Sequence, residues 1–513
     1  MIGRVYLVGA GPGDPGLLTT RAARCLANAD VVVHDYLVGP RLLAAVRPDA
    51  EVIALDRFER LGQADIETLL VDRARAGKTV VRLKNGDPFL FGRCGEEAEV
   101  LRRAGVPFEV VPGVSSALAA PAYAGIPLTH RDHASLVTIA TGHQAPSDTE
   151  VEPAEPALPW EALARQGGTL VFLMGMRQVA AITEALVAHG LAPETPAAAV
   201  TWGTTGRQAT VVATAGTLAG AVAEAGLGPP GVIVLGTVVA LRERLCWFEE
   251  RPLLGKRVVV TRPREQADVL AELLEAQGAD VVLFPTIAIV PPPDEAAVER
   301  AVAAAGGYDW VVFTSANGVR AFFARFTAQQ RDVRELAGVH LASIGPETAA
   351  ALGQRLLRAA VLPEEYRAEG ILAALGGEDL RGRRVLLPRA AGARAVLPVE
   401  LRARGAVVDE VIVYRAVAPA DADVAGLTAA LEAGAVDAVT FTSSSTVRNF
   451  AALLGPGALS RLFREGRPAV ACIGPVTAET ARELGLPVDV MPASYTVAAL
   501  TAALVDHLNR GRA

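Results

Sequence analysis

Glycines stand at 9, 11, 13 and 16 in VYLVGAGPGDPG (5–16), between a short apolar run and a helix-like stretch. Glycine lets the backbone approach a ligand closely, and a helix that starts there turns its free N–H groups toward it. Read from Gly11, the spacing matches the G-x-G-x-x-G of a dinucleotide loop; read from Gly9, it fails at Asp14. Inside the match, however, Asp14 would oppose a pyrophosphate, and Pro12 and Pro15 each lack an N–H donor. A nicotinamide dinucleotide is therefore disfavoured. An adenosyl-sulfonium donor carries no phosphate, and its positive sulfur and ammonium tolerate a carboxylate such as Asp87. Methyl transfer from such a donor is an in-line displacement that destroys charge, so the protein contributes mainly positioning.

The back half offers hydroxyls instead. VVFTSANGV (311–319) and ASIGPETA (342–349) return as AVTFTSSSTV (438–447) and ACIGPVTAET (471–480), an internal duplication. The repeat places Thr314, Ser315, Thr442, Ser443, Ser444 and Thr477 where strands end and helices begin. Open α/β sheets take ligands at that edge, and hydroxyls with helix amides suit a substrate rich in carboxylates. Arg383, Arg384, Arg389 and Arg394 cluster nearby in the sequence. Any one of these serines or threonines is equally suited to capping its helix. No metal ligands, nucleophile elbow or acid–base pair accompany them, which fits a reaction that the substrate largely performs itself.

These residues need rigid elements behind them. The 513 residues, 51% of them hydrophobic and 20% charged, suffice for about three to four packed domains. Apolar runs at 5–8, Asp30–His34, Thr79–Leu83 and Phe108–Val111, with helical stretches at Leu17–Ala27 and Gly95–Ala104, predict a mostly parallel α/β sheet. A solvated loop (144–159) precedes a second α/β lobe carrying TLVFLMGM (169–176), PAAAVTWGT (196–204) and GVIVLGTVVAL (231–241). The pattern restarts at RVVVTRP (257–263), so the main boundary is placed near residue 252. Beyond it, WVVFTS, VHLASIG, AAVLPE, RVLLPR, DAVTFTS, AVACIG and VDVMP read as further strands. Segments 281–290 and 407–417 exceed the usual strand of about 5–6 residues and suit crossovers between two doubly wound lobes, 255–287 plus 418–513 and 288–416.

Composition narrows the rest. A net charge of −7 without a basic stripe excludes general nucleic-acid binding. Cys25, Cys94, Cys246 and Cys472 are too scattered for a disulfide framework or a zinc site, and the histidines form no HxxxH pair. With no signal-like leader and no apolar run of spanning length, a cytoplasmic protein without membrane contact is expected.

VYLVGAGPGDP, RLKNGDPFLFGR (82–93), VVPGVSSA (110–117), AYAGIPLTHRD (122–132) and TGH (141–143) resemble the uroporphyrinogen-III C-methyltransferases, a family of tetrapyrrole methylases, from residue 1 to about 247. The resemblance implies S-adenosyl-L-methionine as donor, a two-lobed fold (about 1–112 and 113–251), a homodimer through this half, and two methylations of uroporphyrinogen III to precorrin-2. Matched position by position, Pro12, Asn85, Gly86, Asp87, Leu90, Ser115, Ser116, Met174 and Gly203 would contact the donor, and Asp35 would face the tetrapyrrole as its catalytic carboxylate. Asn85 and Cys94 stand where the family usually has glycine; asparagine tolerates positive φ. Arg57 stands in for a family lysine, which implies anion binding rather than proton donation.

TRP…QA (261–267), FTSANGV, AEGIL (368–372), VLLPRA (385–390), VYRA (413–416), FTSSSTV and IGPVTAETA resemble uroporphyrinogen-III synthase over roughly 255–505. That family cyclises hydroxymethylbilane with loss of water and inversion of the last ring, with no cofactor. Tyr414 would assist loss of the terminal hydroxyl, and Thr477 would meet substrate carboxylates. Two alternatives stay open: a methylase for a later precorrin in the front half, and a non-catalytic, two-lobed ligand-binding module in the back half.

Overall fold

The computed structural model describes residues 2–47, 49–55, 62–142, 158–419, 422–455, 457–463 and 468–510. The chain forms two compact units, Met1–Phe284 with Asp423–Ala513, and Pro285–Ala422. Among the described residues no helix is long and apolar enough to cross a membrane.

The first sheet of the first unit comprises β1 (Arg4–Gly9), β2 (Val31–Asp35), β3 (Glu51–Leu55), β4 (Thr79–Lys84) and β5 (Phe108–Val111), in the order β3-β2-β4-β1-β5 with every pairing parallel. Central parallel strands are covered on both faces and so read as continuous apolar runs. Accordingly Val5, Leu7, Val8, Val31, Val32, Val33, Val80, Val81 and Leu83 are all buried. The second sheet comprises β6 (Val137–Thr141), β7 (Thr169–Leu173), β8 (Pro196–Thr201), β9 (Ala209–Thr214) and β10 (Gly231–Leu235), in the order β6-β7-β10-β8-β9. Here only β6 and β7 run parallel, so the expected parallel alternation does not extend to this lobe. For the β8–β9 pair the cause is local: the two strands are joined by 202–208, and a parallel crossover needs about a dozen residues or more.

The remaining strands are β11 (Arg257–Val260), β12 (Asp280–Leu283), β13 (Ala288–Val290), β14 (Trp310–Phe313), β15 (His340–Ser343), β16 (Arg384–Ala390), β17 (Val407–Val417), β18 (Ala438–Phe441) and β19 (Ala469–Cys472). Their two sheets have the orders β12-β11-β18-β19, in the first unit, and β13-β17-β16-β14-β15, in the second. Apart from the antiparallel edge strand β13, all pairings are parallel. The orders superpose as β12/β17, β11/β16, β18/β14 and β19/β15, so the duplication covers four strands, not only the FTS and IGP segments. GKRV (255–258) and GRRV (382–385) are its further members. In each copy an aspartate before the middle strand takes the first backbone N–H of its neighbour. Asp437 accepts from Arg257 N (2.8 Å) and Lys256 Nζ (3.0 Å), and Asp309 accepts from Arg384 N (2.8 Å) and Arg383 Nη1 (2.7 Å). Arg383 and Arg384 are thus held at the amino end of β16 and do not join the hydroxyls at the carboxyl edge.

Two expected strands shrink in parallel. AAVLPE and VDVMP each supply one bridge, Ala342 with Val361 and Ala471 with Val490. Pro363 and Pro492 follow two residues later and cannot donate to a ladder. Pro285 acts likewise: 281–290 splits into β12 and β13, whereas 407–417 stays one strand of 11 residues.

Within the first unit, the methylase-like part and the β11 sheet meet tightly near the expected boundary. Arg41 reaches Asp268 (2.5 Å) and Glu275 (3.0 Å), and Gly255 N donates to Gly206 O (2.9 Å). A Cβ on Gly206 would lie 2.2 Å from Asp280 N. Gly206→Ala therefore forces two backbones apart; the expected loss is about 1–3 kcal/mol, read as a lower thermal transition by scanning calorimetry.

Candidate functional site

Three neighbouring strands, β4, β1 and β5, deliver their loops side by side, and glycines allow those loops to touch. A Cβ on Gly9 would lie 2.5 Å from Gly86 O and 2.6 Å from Gly113 Cα, and one on Gly113 would lie 2.2 Å from Gly86 O. Gly11 and Gly86 exchange backbone hydrogen bonds in both directions, at 3.2 and 2.7 Å. Asp87 completes the clamp: Oδ1 accepts from Phe89 N (2.8 Å) and Oδ2 from Gly113 N (3.1 Å). Its carboxylate ties the second loop to the third. Ser115 caps the helix Ser116–Tyr123, its Oγ accepting from Ala117 N (3.2 Å). Leu90 packs against the hydrophobic cluster that includes Ala117 and Ala120. Pro12 rides between Gly11 (φ 79°) and Gly13 (φ 144°). Left-handed backbone falls on Gly86 (φ 70°), and Asn85 is not among the described non-glycine residues with positive φ. Asparagine at 85 therefore asks nothing unusual of the loop.

The second lobe closes onto this crossing within the same unit. Asp14 N donates to Thr204 Oγ1 (3.1 Å), Tyr123 OH donates to Asp14 Oδ2 (2.7 Å), and a Cβ on Gly203 would lie 2.4 Å from Ala120 Cβ. Burial first, and the Asp14 contact second, push the Tyr123 hydroxyl up. Asp14 thus serves as an internal acceptor, which agrees with its incompatibility with a pyrophosphate. Met174 follows Leu173, whose side chain shares the cluster of Ala117 and Leu90. Phe91, Arg93, Met174, Trp202 and Thr204 are non-glycine residues in the left-handed region, where a position costs roughly 1–3 kcal/mol. All five lie in the loops named here; of the described non-glycine residues with positive φ, Gln330 and Leu356 lie elsewhere.

Asp35, at the carboxyl end of β2, is joined by residues that sequence reasoning missed. Arg82 Nη2 donates to Asp35 Oδ1 (2.5 Å) and Arg82 Nε to Glu97 Oε1 (3.1 Å). Lys84 Nζ lies 3.7 Å from Asp35 Oδ2 and 3.9 Å from Glu97 Oε1. Arg82 and Glu97 are fully buried, at 1% and 0% exposure. Burial alone would lower the Arg82 pKa; its two carboxylates outweigh that and raise it. The signal was present in β4: Arg82 and Lys84 alternate on one face of an otherwise apolar strand. Cys94, replacing a usual glycine, is buried and donates to Glu97 Oε2 (2.9 Å); Arg93 rather than Cys94 takes the left-handed turn. Arg57 lies outside the described residues.

In the synthase-like half each lobe stands by itself. In the second unit Ser315 Oγ accepts from Gly318 N (2.9 Å) as a helix cap and bonds Tyr414 OH (3.1 Å); Tyr414 is buried and Thr314 half-buried. Arg389, also buried, pairs with Glu410. In the first unit Ser443 caps the helix Ser444–Leu454, and Ser444 donates to Val476 O (3.2 Å) and takes a bond from Thr480 (2.9 Å). Thr442 is half-buried, while Thr477 is buried in the helix Pro475–Glu483, as Thr348 is in the matching helix Pro346–Gly353. Ser315, Ser443 and Ser444 therefore do structural work whatever else they contact. Among the described residues no cluster suits a metal ion.

The tetrapyrrole (corrin/porphyrin) methylase family matches residues 4–219, and the uroporphyrinogen-III synthase family matches residues 268–502. A porphyrin biosynthesis protein HemD of Ruminiclostridium josui is 37% identical over 487 residues, 94% of each chain. The chain belongs to this methylase–synthase fusion family. It is a bifunctional enzyme of tetrapyrrole biosynthesis. A uroporphyrinogen-III C-methyltransferase of Bacillus subtilis is 41% identical over 65% of this chain and 68% of its own. Among solved structures, a Thermus thermophilus uroporphyrin-III C-methyltransferase complexed with S-adenyl homocysteine is 40% identical, covering 47% of this chain and 100% of its own, with a TM-score of 0.39.

Two outcomes follow from these loops and cysteines. Gly113→Ala should cost about 1–3 kcal/mol and speed hydrogen exchange at the Gly11 and Gly86 amides, since the added methyl separates the crossing. Burial, and then Glu97, push the Cys94 thiol up, and burial pushes Cys472 up to about 12. Near about pH 8 both should resist a thiol reagent that labels the half-buried Cys246; equal labelling of Cys94 in the native chain would contradict its burial.

Proposed function

We propose that the chain cyclises hydroxymethylbilane to uroporphyrinogen III, with inversion of the last ring, and methylates that product twice with S-adenosyl-L-methionine to precorrin-2. One observation carries this reading: both families match a single chain, and the product of the second half is the substrate of the first. We place the methyltransferase in 1–251 and the synthase in 252–513.

For methylation, the loops holding Pro12, Asn85, Gly86, Asp87, Leu90, Ser115 and Ser116, with Met174 and Gly203 of the second lobe, hold the donor. Its sulfur–methyl bond breaks with the electron pair going to sulfur, and a pyrrole carbon forms the new bond with ring π electrons. The ring is left cationic and gives up one proton; Asp35 is the group placed to orient and accept it. For cyclisation, Tyr414 assists departure of the terminal hydroxyl as water. Thr314, Ser315, Thr442, Ser443, Ser444 and Thr477 contact the substrate carboxylates. The hydrogen bond between Tyr414 and Ser315 supports a shared role for those two.

The test is turnover by the purified full chain without oxygen, given hydroxymethylbilane and S-adenosyl-L-methionine and followed by mass. A product carrying two added methyl groups is expected. If supplied uroporphyrinogen III is methylated but hydroxymethylbilane yields only the uninverted ring, the back half is a binding module. If neither is methylated, the reading falls. In the same assay Tyr414→Phe should slow cyclisation by about 10-fold or more while methylation of supplied uroporphyrinogen III is unchanged.

A further inference from the structure

Asp35 is the exposed end of a buried chain of charge. Its side chain is 27% exposed, whereas those of Arg82, Lys84 and Glu97 are 2%, 10% and 0%. Arg82 is fixed through all three nitrogens: Nε on Glu97, Nη2 on Asp35, and Nη1 on the carbonyls of Val33 and Leu83 (3.4 Å each). Glu97 is fixed in turn by Cys94 Sγ (2.9 Å) and Gln63 Nε2 (3.4 Å). The remaining neighbours are His34, whose ring Nδ1 lies 3.0 Å from the Asp35 carbonyl, and the adjacent Tyr36. Arg82 takes Oδ1, so Oδ2 keeps only the longer Lys84 contact among the described residues, on a side chain that is 27% exposed.

Stability alone accounts poorly for such a device. Four charged groups at the end of an apolar sheet pay a desolvation cost, and apolar side chains of similar volume often serve a fold as well or better. A guanidinium held at every nitrogen cannot follow a moving carboxylate; what it provides is a fixed orientation. Glu97 also balances charge. Without it Asp35 would face two cations, Arg82 and Lys84, and would be a poorer proton acceptor.

We propose that Arg82 and Glu97 are positioning residues for methyl transfer, holding Asp35 by Oδ1 so that Oδ2 is kept for the pyrrole N–H of the substrate. The proposal rests on the methyltransferase reading above. Neither residue touches the substrate; both act through Asp35.

Two variants of the full chain test it, Glu97→Gln and Arg82→Gln/Glu97→Gln, the second removing one charge of each sign. Turnover with uroporphyrinogen III and S-adenosyl-L-methionine is measured against pH, alongside calorimetric affinity for S-adenosylhomocysteine and the thermal transition. For Glu97→Gln we expect kcat to fall between about 10- and 100-fold, and the acid limb of its pH profile to move down by about one unit, because Asp35 now sits beside two unbalanced cations. For the double variant the acid limb moves up, because the cation lost is the one in contact with Asp35. Affinity for S-adenosylhomocysteine should stay at the wild-type value in both. Wild-type kcat and pH profile in Glu97→Gln would overturn the proposal, as would a loss uniform across pH together with lost donor affinity. Should the double variant not fold, Glu97→Gln alone decides. The Asp35 carboxyl carbon, followed by carbon-13 NMR, reads the same opposed shifts without turnover. An inactive wild-type chain with those shifts therefore indicts the function, and an active one without them indicts the positioning role.

Discussion

The methylase half depends on the absence of side chains at one crossing. Gly9, Gly86 and Gly113 bring three neighbouring loops so close together that a Cβ on Gly9 or on Gly113 would enter the backbone of the others. The close approach fixes the spacing of three loops at once, and the hydrogen bonds of Gly11 with Gly86 and of Asp87 with Gly113 then lock it. Everything else in that half is arranged around this point. The capped helix Ser116–Tyr123 starts from it, Gly203 packs on that helix, and Asp14 reaches from the first loop to Thr204 and Tyr123. A site built this way gains accuracy from backbone geometry, which suits a reaction that needs positioning more than acid–base power.

The synthase half uses a different economy. One four-strand pattern is used twice, with an aspartate stapling the first N–H of the neighbouring strand, a hydroxyl capping each helix after FTS, and a buried threonine in each helix after IGP. The copies differ at segments 281–290 and 407–417. Pro285 breaks the outgoing segment, whereas the returning strand is continuous and carries Tyr414 to the Ser315 cap. Helix capping and ligand contact are compatible duties here, because a hydroxyl that accepts from a helix N–H still has a proton to donate.

Much of this was legible in the residues. The glycine loops and the FTS and IGP repeats announced themselves because turn chemistry and duplication are written locally, whereas Asp35 stood out only through the resemblance to the methylases. What escaped was long-range. The Arg82–Glu97 pair joins a strand to a helix 15 positions on, and only the alternation in VVRLK hinted at it. The arginines 383 and 384 looked close to the hydroxyls in sequence, but strand direction puts them at the opposite end of the sheet. The strands expected at AAVLPE and VDVMP were overread because their apolar runs outweighed the prolines behind them. The antiparallel β8–β9 pair was likewise a matter of connection length, and the antiparallel setting of β10 is a long-range pairing that apolar pattern alone does not report.

The central claim is that the glycine crossing is where the methyl donor is held. A crystal structure of the full chain with S-adenosylhomocysteine tests it most directly. The account predicts the ligand against Pro12, Gly86, Ser115, Met174 and Gly203, with its sulfur on the side of Asp35. A ligand bound elsewhere on the chain, or at the crossing with its sulfur turned away from Asp35, would contradict it.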